Sequence, residues 1–203
     1  MEFQIFQIII LIASAIVHEY MHGFVADRLG DPTARVSGRL TLNPLPHIDL
    51  WGSIVVPLLL ILSNVGFVFG WAKPVPFNPN NLKDKKYGPA KVAAAGPLGN
   101  LILAVAFGLI LRLGIFQAGA MIELLAIIVY INLILMVFNL VPIPPLDGSR
   151  ILSAFLPYSW QKRFDELENY GMILVFLFVF FAFSIISPII GFLFSLLTGI
   201  PTN

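Results

Sequence analysis

Four long apolar stretches constrain this chain more than any other feature of its sequence. They cover about residues 3–26, 92–116, 121–141 and 170–186, and each comes close to the roughly 20 residues that a helix needs to cross a bilayer. Inside lipid, backbone groups must find internal partners, so stretches of this length predict α-helices. Only 11% of the residues are charged, whereas a soluble domain carries about 25%. The sequence predicts an all-α polytopic membrane protein, folded as a single membrane-embedded domain over residues 1–203.

Two shorter apolar segments leave part of the topology open. Residues 51–70 are interrupted by Pro57, Ser63, Asn64 and Gly66, which makes a complete span doubtful, and they are interpreted as a re-entrant loop or a membrane-dipping hairpin. Residues 188–200 are short for a full crossing and are interpreted as a half-helix or a short returning span. The predicted core therefore has three transmembrane helices, with one or two further spans at the C-terminal end.

Three segments between these stretches have predicted structure of their own. Residues 35–43 and 67–77 both show short β-type patterning bounded by Gly and Pro, so they are expected to pair as a membrane-associated hairpin. Residues 158–168 mix aromatic and charged side chains, which suits a helix lying at the membrane interface. An ordinary polar loop is the alternative for this last segment.

The composition limits the chemistry that the chain can perform. Cysteine is absent, which excludes disulfides and thiolate zinc sites, so any metal must be held by His, Asp or Glu. The net charge is +1, and a chain this close to neutral has no overall field that attracts nucleic acid. No nucleic-acid partner is therefore expected.

The first apolar stretch contains three ionisable residues in the pattern His18-Glu19-x-x-His22. Residues four apart lie on one helix face, so both imidazoles can reach a single Zn²⁺ at about 2.1 Å. Ionisable side chains are costly inside a membrane and indicate a functional site. The H-E-x-x-H pattern is typical of zinc metalloproteases, in which the glutamate accepts a proton from a water molecule that the metal activates. The alternative is two interfacial histidines that are four residues apart by chance.

A third protein ligand is expected, because catalytic zinc sites combine three protein ligands with one open position. The best candidate is Asp147, in the segment Asn139-Leu-Val-Pro-Ile-Pro-Pro-Leu-Asp147-Gly148 at the end of the third stretch. Its three prolines must interrupt the helix, and an interruption at membrane depth is tolerated where it lines a protein cavity. Gly148 is expected to allow an unusual backbone dihedral beside the carboxylate. The alternative is an ordinary helix end with Asp147 facing water.

Taken together, these motifs resemble the site-2 protease family of intramembrane zinc metalloproteases. The first stretch has H-E-x-x-H, the third ends in N-x-x-P-x-P-x-L-D-G, and Gly96-Pro97-x-x-Asn100 between them resembles the family's G-P-x-x-N element. The three motifs occur in the family's order and cover residues 18 to about 150. The chain is similar to a short prokaryotic subgroup of the family that lacks PDZ and CBS domains.

The resemblance implies a role for each residue of the two longer motifs. His18, His22 and Asp147 would hold one Zn²⁺ per chain, and Glu19 would act as the general base. Asn139 would lie near the scissile carbonyl, where its amide hydrogen-bonds the developing oxyanion or the substrate backbone. A helix-packing amide is the alternative for Asn139.

Two further polar residues have competing interpretations. Asn100 is a candidate catalytic residue through the G-P-x-x-N element, although helix packing explains its amide at least as well. His47 follows a proline-rich loop and is interpreted as structural. Two histidines and one aspartate already leave the open position that catalysis requires, so a further ligand is not needed.

The basic residues predict the orientation of the chain in the membrane. His18 and Asp147 must meet at one depth, so residues 27–90 between the first two stretches should cross the membrane an even number of times. Eleven of the twelve Lys and Arg residues then share one face, and only Arg112 lies on the other. Because positive residues are enriched in cytoplasmic loops, the active site is predicted to lie toward the cytoplasm and the N-terminus outside.

The function that these features favour is cleavage of transmembrane segments in other membrane proteins by a zinc endopeptidase. A substrate helix would have to unwind, and an exposed edge within 35–43 or 67–77 would hold it extended. The alternative is a zinc transporter, or a metal-binding membrane protein without protease activity. Apart from Asn132, Asn139 and a few serines, the other stretches have few polar residues for a transport path. The substrate's identity and the oligomeric state stay open.

Overall fold

The computed structural model describes residues 2–63, 70–116 and 119–201. Within these ranges the regular secondary structure is helical, and no β-strand is found. Four helices are long and apolar enough to cross a membrane: Ile5–Arg28, Gly88–Arg112, Gly119–Asn139 and Gly171–Thr198. The prediction of an all-α polytopic membrane protein is therefore confirmed.

The described residues form α-helices joined by turns and by longer irregular segments. In chain order the helices are α1 (Glu2–Arg28), α2 (Thr33–Val36), α3 (Val56–Leu62), α4 (Gly88–Arg112), α5 (Gly119–Asn139), α6 (Asp147–Ser153), α7 (Tyr158–Glu168), α8 (Gly171–Leu177) and α9 (Phe183–Thr198). Short 3₁₀ turns occur at Leu45–His47 and Pro79–Asn81, and π-helical turns at Leu50–Val55 and Phe178–Ala182. The fourth long helix thus consists of α8, the second π-helical turn and α9.

Helices α1, α4 and α5 pack against one another and form a three-helix core. Small residues allow membrane helices to approach closely, and α4 buries Ala93, Ala95, Gly96, Gly99 and Ala104. At Gly99, a Cβ atom would lie only 2.7 Å from Cγ of Met21 in α1. A larger residue at this position would push α1 and α4 apart.

The fourth long helix packs on α4 and α5 through α9. Ile190 and Phe194 of α9 belong to one buried apolar cluster with residues of α4 and α5. Residues 188–200 do not form a separate helix: Pro188 lies inside α9, which begins at Phe183 and continues to Thr198. A proline is tolerated inside a membrane helix when neighbouring helices and local π-helical adjustments satisfy the freed backbone groups.

The predicted pairing of residues 35–43 and 67–77 as β-strands is not found in the described part of the chain. The first segment forms the end of α2 and a series of turns, and the second is extended from residue 70 onward without a ladder. The earlier residues of the second segment lie outside the described ranges. Arg39 joins the two segments by donating to the carbonyls of Lys73 and Pro74, at 2.8 and 3.3 Å. Prolines cannot donate ladder hydrogen bonds, and the second segment contains two.

The residues at the two ends of the apolar segment 51–70 lie beside each other. The backbone N–H of Trp71 donates to the carbonyl of Gly52 at 3.1 Å, and that of Lys73 donates to the carbonyl of His47 at 2.8 Å. The returning chain therefore runs beside the outgoing chain, which is the geometry of a hairpin.

Asp31 holds the loop that follows α1 against a second loop. Its carboxylate accepts hydrogen bonds from the backbone N–H and hydroxyl of Thr33, the backbone N–H of Asn78 and the side-chain amide of Asn81. Burial raises the pKa of Asp31, but these hydrogen bonds outweigh that effect and hold it below its ordinary value. The carboxylate is therefore a charged anchor between the two loops.

Residues 158–168 form the helix α7, as their amphipathic pattern predicts, and the polar-loop alternative is wrong. Arg150 of α6 forms an ion pair with Glu168 of α7 at 3.0 Å. This contact links α7 to the short helix that begins at Asp147.

Candidate metal centre

His18, His22 and Asp147 meet in one cluster, although His18 and Asp147 are 129 residues apart in sequence. Oδ2 of Asp147 lies 3.0 Å from Nε2 of His18 and 3.3 Å from Nε2 of His22. The two imidazoles stand nearly perpendicular, with ring centroids 4.6 Å apart. The structure thus brings together the three side chains that were predicted to hold a metal.

Two separate pieces of the fold deliver these side chains. His18 and His22 project from successive turns of α1, so helical periodicity alone aligns them. Asp147 is the first residue of α6, directly after the proline-rich interruption that follows α5. The position of the carboxylate therefore depends on how the interruption folds back.

Gly148 makes this fold-back possible through its size. A Cβ atom there would collide with the carbonyl oxygen of Leu140 and lie 2.6 Å from that of Val141. Gly148 is not among the residues with positive φ, so the expectation of an unusual dihedral is wrong. Glycine is required because the backbone of α6 passes directly against the end of α5.

Each imidazole is oriented by a hydrogen bond on its far side. Nδ1 of His18 is 2.7 Å from Oδ1 of Asn100, and Nδ1 of His22 is 2.8 Å from the carbonyl oxygen of Val92. Carbonyl oxygens only accept, so both Nδ1 atoms carry a hydrogen, and in the neutral, metal-binding form of each ring the Nε2 lone pair is directed toward the shared site. This is the usual arrangement of metal-bound histidines, whose second ring nitrogen donates to an outer partner.

The space between the two Nε2 atoms is kept open by Gly96 of α4. A Cβ atom at Gly96 would lie 2.6 Å from Nε2 of His18 and 2.5 Å from Nε2 of His22.

Tetrahedral zinc with ligands at about 2.0–2.1 Å separates its ligand atoms by roughly 3.4 Å. The distances of 3.0 and 3.3 Å to Asp147 are close to that value. Two imidazoles and one carboxylate also suit zinc chemically, so the residues present fit this metal.

Glu19 and Asn139 have contacts that define their positions. Oε2 of Glu19 accepts a hydrogen bond from the backbone N–H of Val75 at 2.8 Å, which ties the returning segment 70–77 to α1. Nδ2 of Asn139 donates to the carbonyl of Leu135 in its own helix at 2.9 Å. Glu19 directly follows His18 in α1, so it lies beside the cluster. Asn139 is the last residue of α5.

Asn100 lies behind His18, inside a buried polar group that sequence reasoning missed. Nδ2 of Asn100 donates to Oδ1 of Asn132 at 3.0 Å and to the backbone carbonyl of Ser14 at 3.2 Å. Nδ2 of Asn132 donates to Oγ of Ser14 at 3.0 Å. The available signal was the spacing of Ser14, which precedes His18 by four residues and so shares its helix face.

His47 lies outside this cluster. Its Nε2–H donates to the backbone carbonyl of Thr41 at 2.8 Å, and its side chain is buried within the loop before the segment 51–70. These contacts agree with the structural interpretation of this residue.

The chain matches a known protein family and several curated proteins. Residues 113–183 match the profile of Peptidase family M50. "Putative zinc metalloprotease YwhC" of Bacillus subtilis is 40% identical over 182 residues, which cover 85% of this chain and 78% of that protein.

Two mycobacterial proteins are more distant relatives. "Putative zinc metalloprotease Rip2" of Mycolicibacterium smegmatis is 31% identical over 80% of this chain and 61% of that protein. The protein of the same name in Mycobacterium tuberculosis strain H37Rv is 30% identical over 84% of this chain and 64% of its own length. The chain therefore spans just under two thirds of each Rip2 protein. No solved structure matches the chain.

Proposed function

Since the chain belongs to peptidase family M50, the site-2 protease family of zinc metalloproteases, we propose that it is an intramembrane endopeptidase that cuts membrane-spanning segments of other proteins. The observation that carries this proposal is the cluster of His18, His22 and Asp147 within a bundle of apolar helices. His18 precedes the end of α1 at Arg28 by ten residues, which is about 15 Å along the helix axis. A site at this depth reaches peptide bonds that lie in lipid.

We infer that Glu19 is the general base of the reaction. The hydrogen bond from Val75 holds Oε2, and Oε1 accepts none from the described residues. When bound, zinc supplies Lewis acidity that polarises a carbonyl and lowers the pKa of water to about 7. Glu19 accepts a proton from the attacking water as the new C–O bond forms, and passes it to the leaving nitrogen as the C–N bond breaks.

The two asparagines of the motifs take different tasks in this proposal. One Nδ2 hydrogen of Asn139 is used by Leu135, while its other hydrogen and its Oδ1 bond none of the described residues. These groups are available to the oxyanion or the substrate backbone. Asn100 is fully buried and bonded to His18, so we assign it to positioning this ligand rather than to contact with substrate.

The backbone at Ala72, in the segment 70–77, is the proposed binding edge for an unwound substrate. The backbone N–H groups of Trp71, Lys73 and Val75 all point toward the protein, where they donate to Gly52, His47 and Glu19. In an extended chain the intervening residue faces the opposite way, and neither backbone group of Ala72 bonds to the described residues. An apolar cavity of about 160 Å³ lies beside Ala72. A substrate strand paired here would lie next to the segment that holds the general base.

The proposed orientation places the active site toward the cytoplasm and the N-terminus outside. The hydrogen bond from Trp71 back to Gly52 supports an even number of crossings between α1 and α4. With that topology, Arg112 is alone on the outer face among the twelve basic residues. A reporter fused after Lys85 is expected to read cytoplasmic, and an external reading would overturn the orientation.

Replacement of the proposed base tests the function directly. Wild type, Glu19→Gln and the exposed-site control Glu123→Gln would be produced in cells, and membrane peptides compared by mass spectrometry. Fragments with new termini inside apolar stretches are expected with wild type and Glu123→Gln and absent with Glu19→Gln, at equal zinc content. Cleavage that persists in Glu19→Gln contradicts the mechanism. Zinc binding by a wild type that cleaves nothing would favour the non-proteolytic alternative.

A further inference from the structure

We propose that Asn132 of α5, together with Ser14 of α1, is a positioning residue of the metal centre. It fixes the amide of Asn100, and through Asn100 it fixes the imidazole of His18. This inference deepens the proposed function and rests on it to the extent that His18 is a zinc ligand. The residues involved come from three helices, and none of the motifs includes Asn132 or Ser14.

The four side chains form one continuous path of hydrogen bonds inside the core. Oδ1 of Asn100 accepts from His18 at 2.7 Å, Nδ2 of Asn100 donates to Oδ1 of Asn132 at 3.0 Å, and Nδ2 of Asn132 donates to Oγ of Ser14 at 3.0 Å. Asn100 and Asn132 are 0% exposed, and Ser14 is 2% exposed. Water therefore has no access with which to replace a lost partner.

Two backbone carbonyls determine the direction of every bond in this path. Nδ2 of Asn132 donates to the carbonyl of Ile128 at 2.9 Å, and Nδ2 of Asn100 donates to the carbonyl of Ser14 at 3.2 Å. A carbonyl can only accept, so neither amide can flip without placing its own oxygen against another oxygen. Oδ1 of Asn100 must then face His18, whose Nδ1 must carry the hydrogen. In the neutral ring, which is the form that binds a metal, Nε2 of His18 is thereby left with its lone pair toward the metal site.

His22 provides an internal comparison, because its imidazole is oriented by a backbone carbonyl and not by another side chain. Its Nδ1 donates to the backbone carbonyl of Val92 at 2.8 Å, which no substitution removes. His18 relies on Asn100, and Asn100 relies in part on Asn132. Loss of Asn132 should therefore disturb one of the two histidine ligands and spare the other.

If Asn132 only joined helices and did not position His18, its replacement would leave zinc affinity unchanged. Hydrogen bonds between membrane helices contribute little to stability on average, whereas loss of the outer partner of a metal-bound histidine typically weakens metal affinity by about 10- to 100-fold. The two roles therefore separate when zinc affinity and thermal stability are measured on the same variants.

The experiment measures zinc affinity of the full chain in detergent or liposomes by competition with a chelator. Asn132→Leu is expected to weaken zinc binding by about tenfold and Asn100→Leu by up to about 100-fold. Because the path runs through Asn100, the double variant should bind zinc no more weakly than Asn100→Leu alone. Thr198→Val removes another buried hydroxyl, which donates to the carbonyl of Phe194 and accepts from the backbone N–H of Ile200, and should leave zinc affinity unchanged.

A second measurement keeps the inference testable if Asn132→Leu folds poorly. The chain has three histidines, so ring-nitrogen NMR of the zinc-loaded protein can follow His18 and His22 separately. Ser14→Ala, which removes only a hydroxyl, should shift the Nδ1–H signal of His18 and leave that of His22 in place.

The outcomes separate this inference from the proposed function. Wild-type zinc affinity in Asn132→Leu, or losses that multiply in the double variant, would overturn the positioning role whether or not the protein cleaves membrane segments. Absence of cleavage with the expected affinities and NMR shifts would refute only the proposed function.

Discussion

Replacement of Gly96 by alanine tests whether the space between the imidazoles is the metal site. The added Cβ would lie 2.6 Å from Nε2 of His18 and 2.5 Å from Nε2 of His22, whereas ordinary van der Waals contact begins at 3.4 Å, so the rings must retreat by roughly 0.8 to 0.9 Å. A misplacement of about 1 Å costs on the order of 100-fold in rate, which corresponds to about 2.7 kcal/mol. Cleavage should fall by about this factor, and zinc affinity should fall with it.

The fold itself should tolerate the change. Alanine is a better helix former than glycine by about 1 kcal/mol, and the nearest atoms to the new methyl belong to the imidazoles. The helical circular dichroism signal should therefore stay at the wild-type level while zinc content falls. The matched control is Gly119→Ala in α5, where no described atom lies within 4 Å of the added carbon.

The assay combines chelator competition for zinc affinity, metal analysis of the purified protein, and cleavage of membrane peptides. A folded Gly96→Ala protein that binds zinc as tightly as wild type would refute the reasoning, because no metal could share that space with the methyl group. Equal losses in Gly96→Ala and Gly119→Ala would also refute it, since only the first substitution faces the cluster.

Three further perturbations follow from the structure. Gly148→Ala places a carbon against the carbonyls of Leu140 and Val141; we expect lower zinc content together with a loss of about 1–3 kcal/mol in unfolding free energy, measured by metal analysis and thermal unfolding. The pKa of Asp31 lies below its ordinary value of 3.8, so its contribution to stability is complete above that pH and is lost as the pH falls through the lowered pKa. Asp31→Asn should therefore reduce stability at neutral pH by about 2 kcal/mol and flatten the acid dependence of the thermal midpoint; an unchanged acid profile would contradict the role of the carboxylate. Removal of zinc by a chelator should abolish cleavage and lower the thermal midpoint, both restored by added zinc, whereas cleavage that survives chelation would exclude a metalloprotease mechanism.

Features that depend only on residues close together in the sequence could be predicted from it. Lipid excludes unpaired backbone groups, so a long apolar stretch becomes a helix wherever it lies in the chain. The same local periodicity aligns His18 with His22. Asp147 was identified from a motif and a proline-rich interruption, and the structure brings it to the two histidines.

Predictions that needed knowledge of packing were less successful. Residues 35–43 and 67–77 have a β-type pattern, but Arg39 reaches across to the carbonyls of the second segment and no ladder forms in the described part. The short apolar segment 188–200 was predicted to be a half-helix or a short returning span, whereas α9 continues through Pro188 to Thr198. In both cases a local signal was overruled by contacts with distant residues.

The sequence by itself determined that the chain belongs in a membrane and predicted His18, His22 and Asp147 as candidate metal ligands, because composition, helical spacing and a motif are all read along the chain. The tertiary structure decided everything that requires two helices to meet. Gly96 leaves room for a metal only because α4 passes close to α1. Asn100, Asn132 and Ser14 orient His18 only because three helices converge there. Such contacts join residues far apart in the chain, and no periodicity along one segment carries that information.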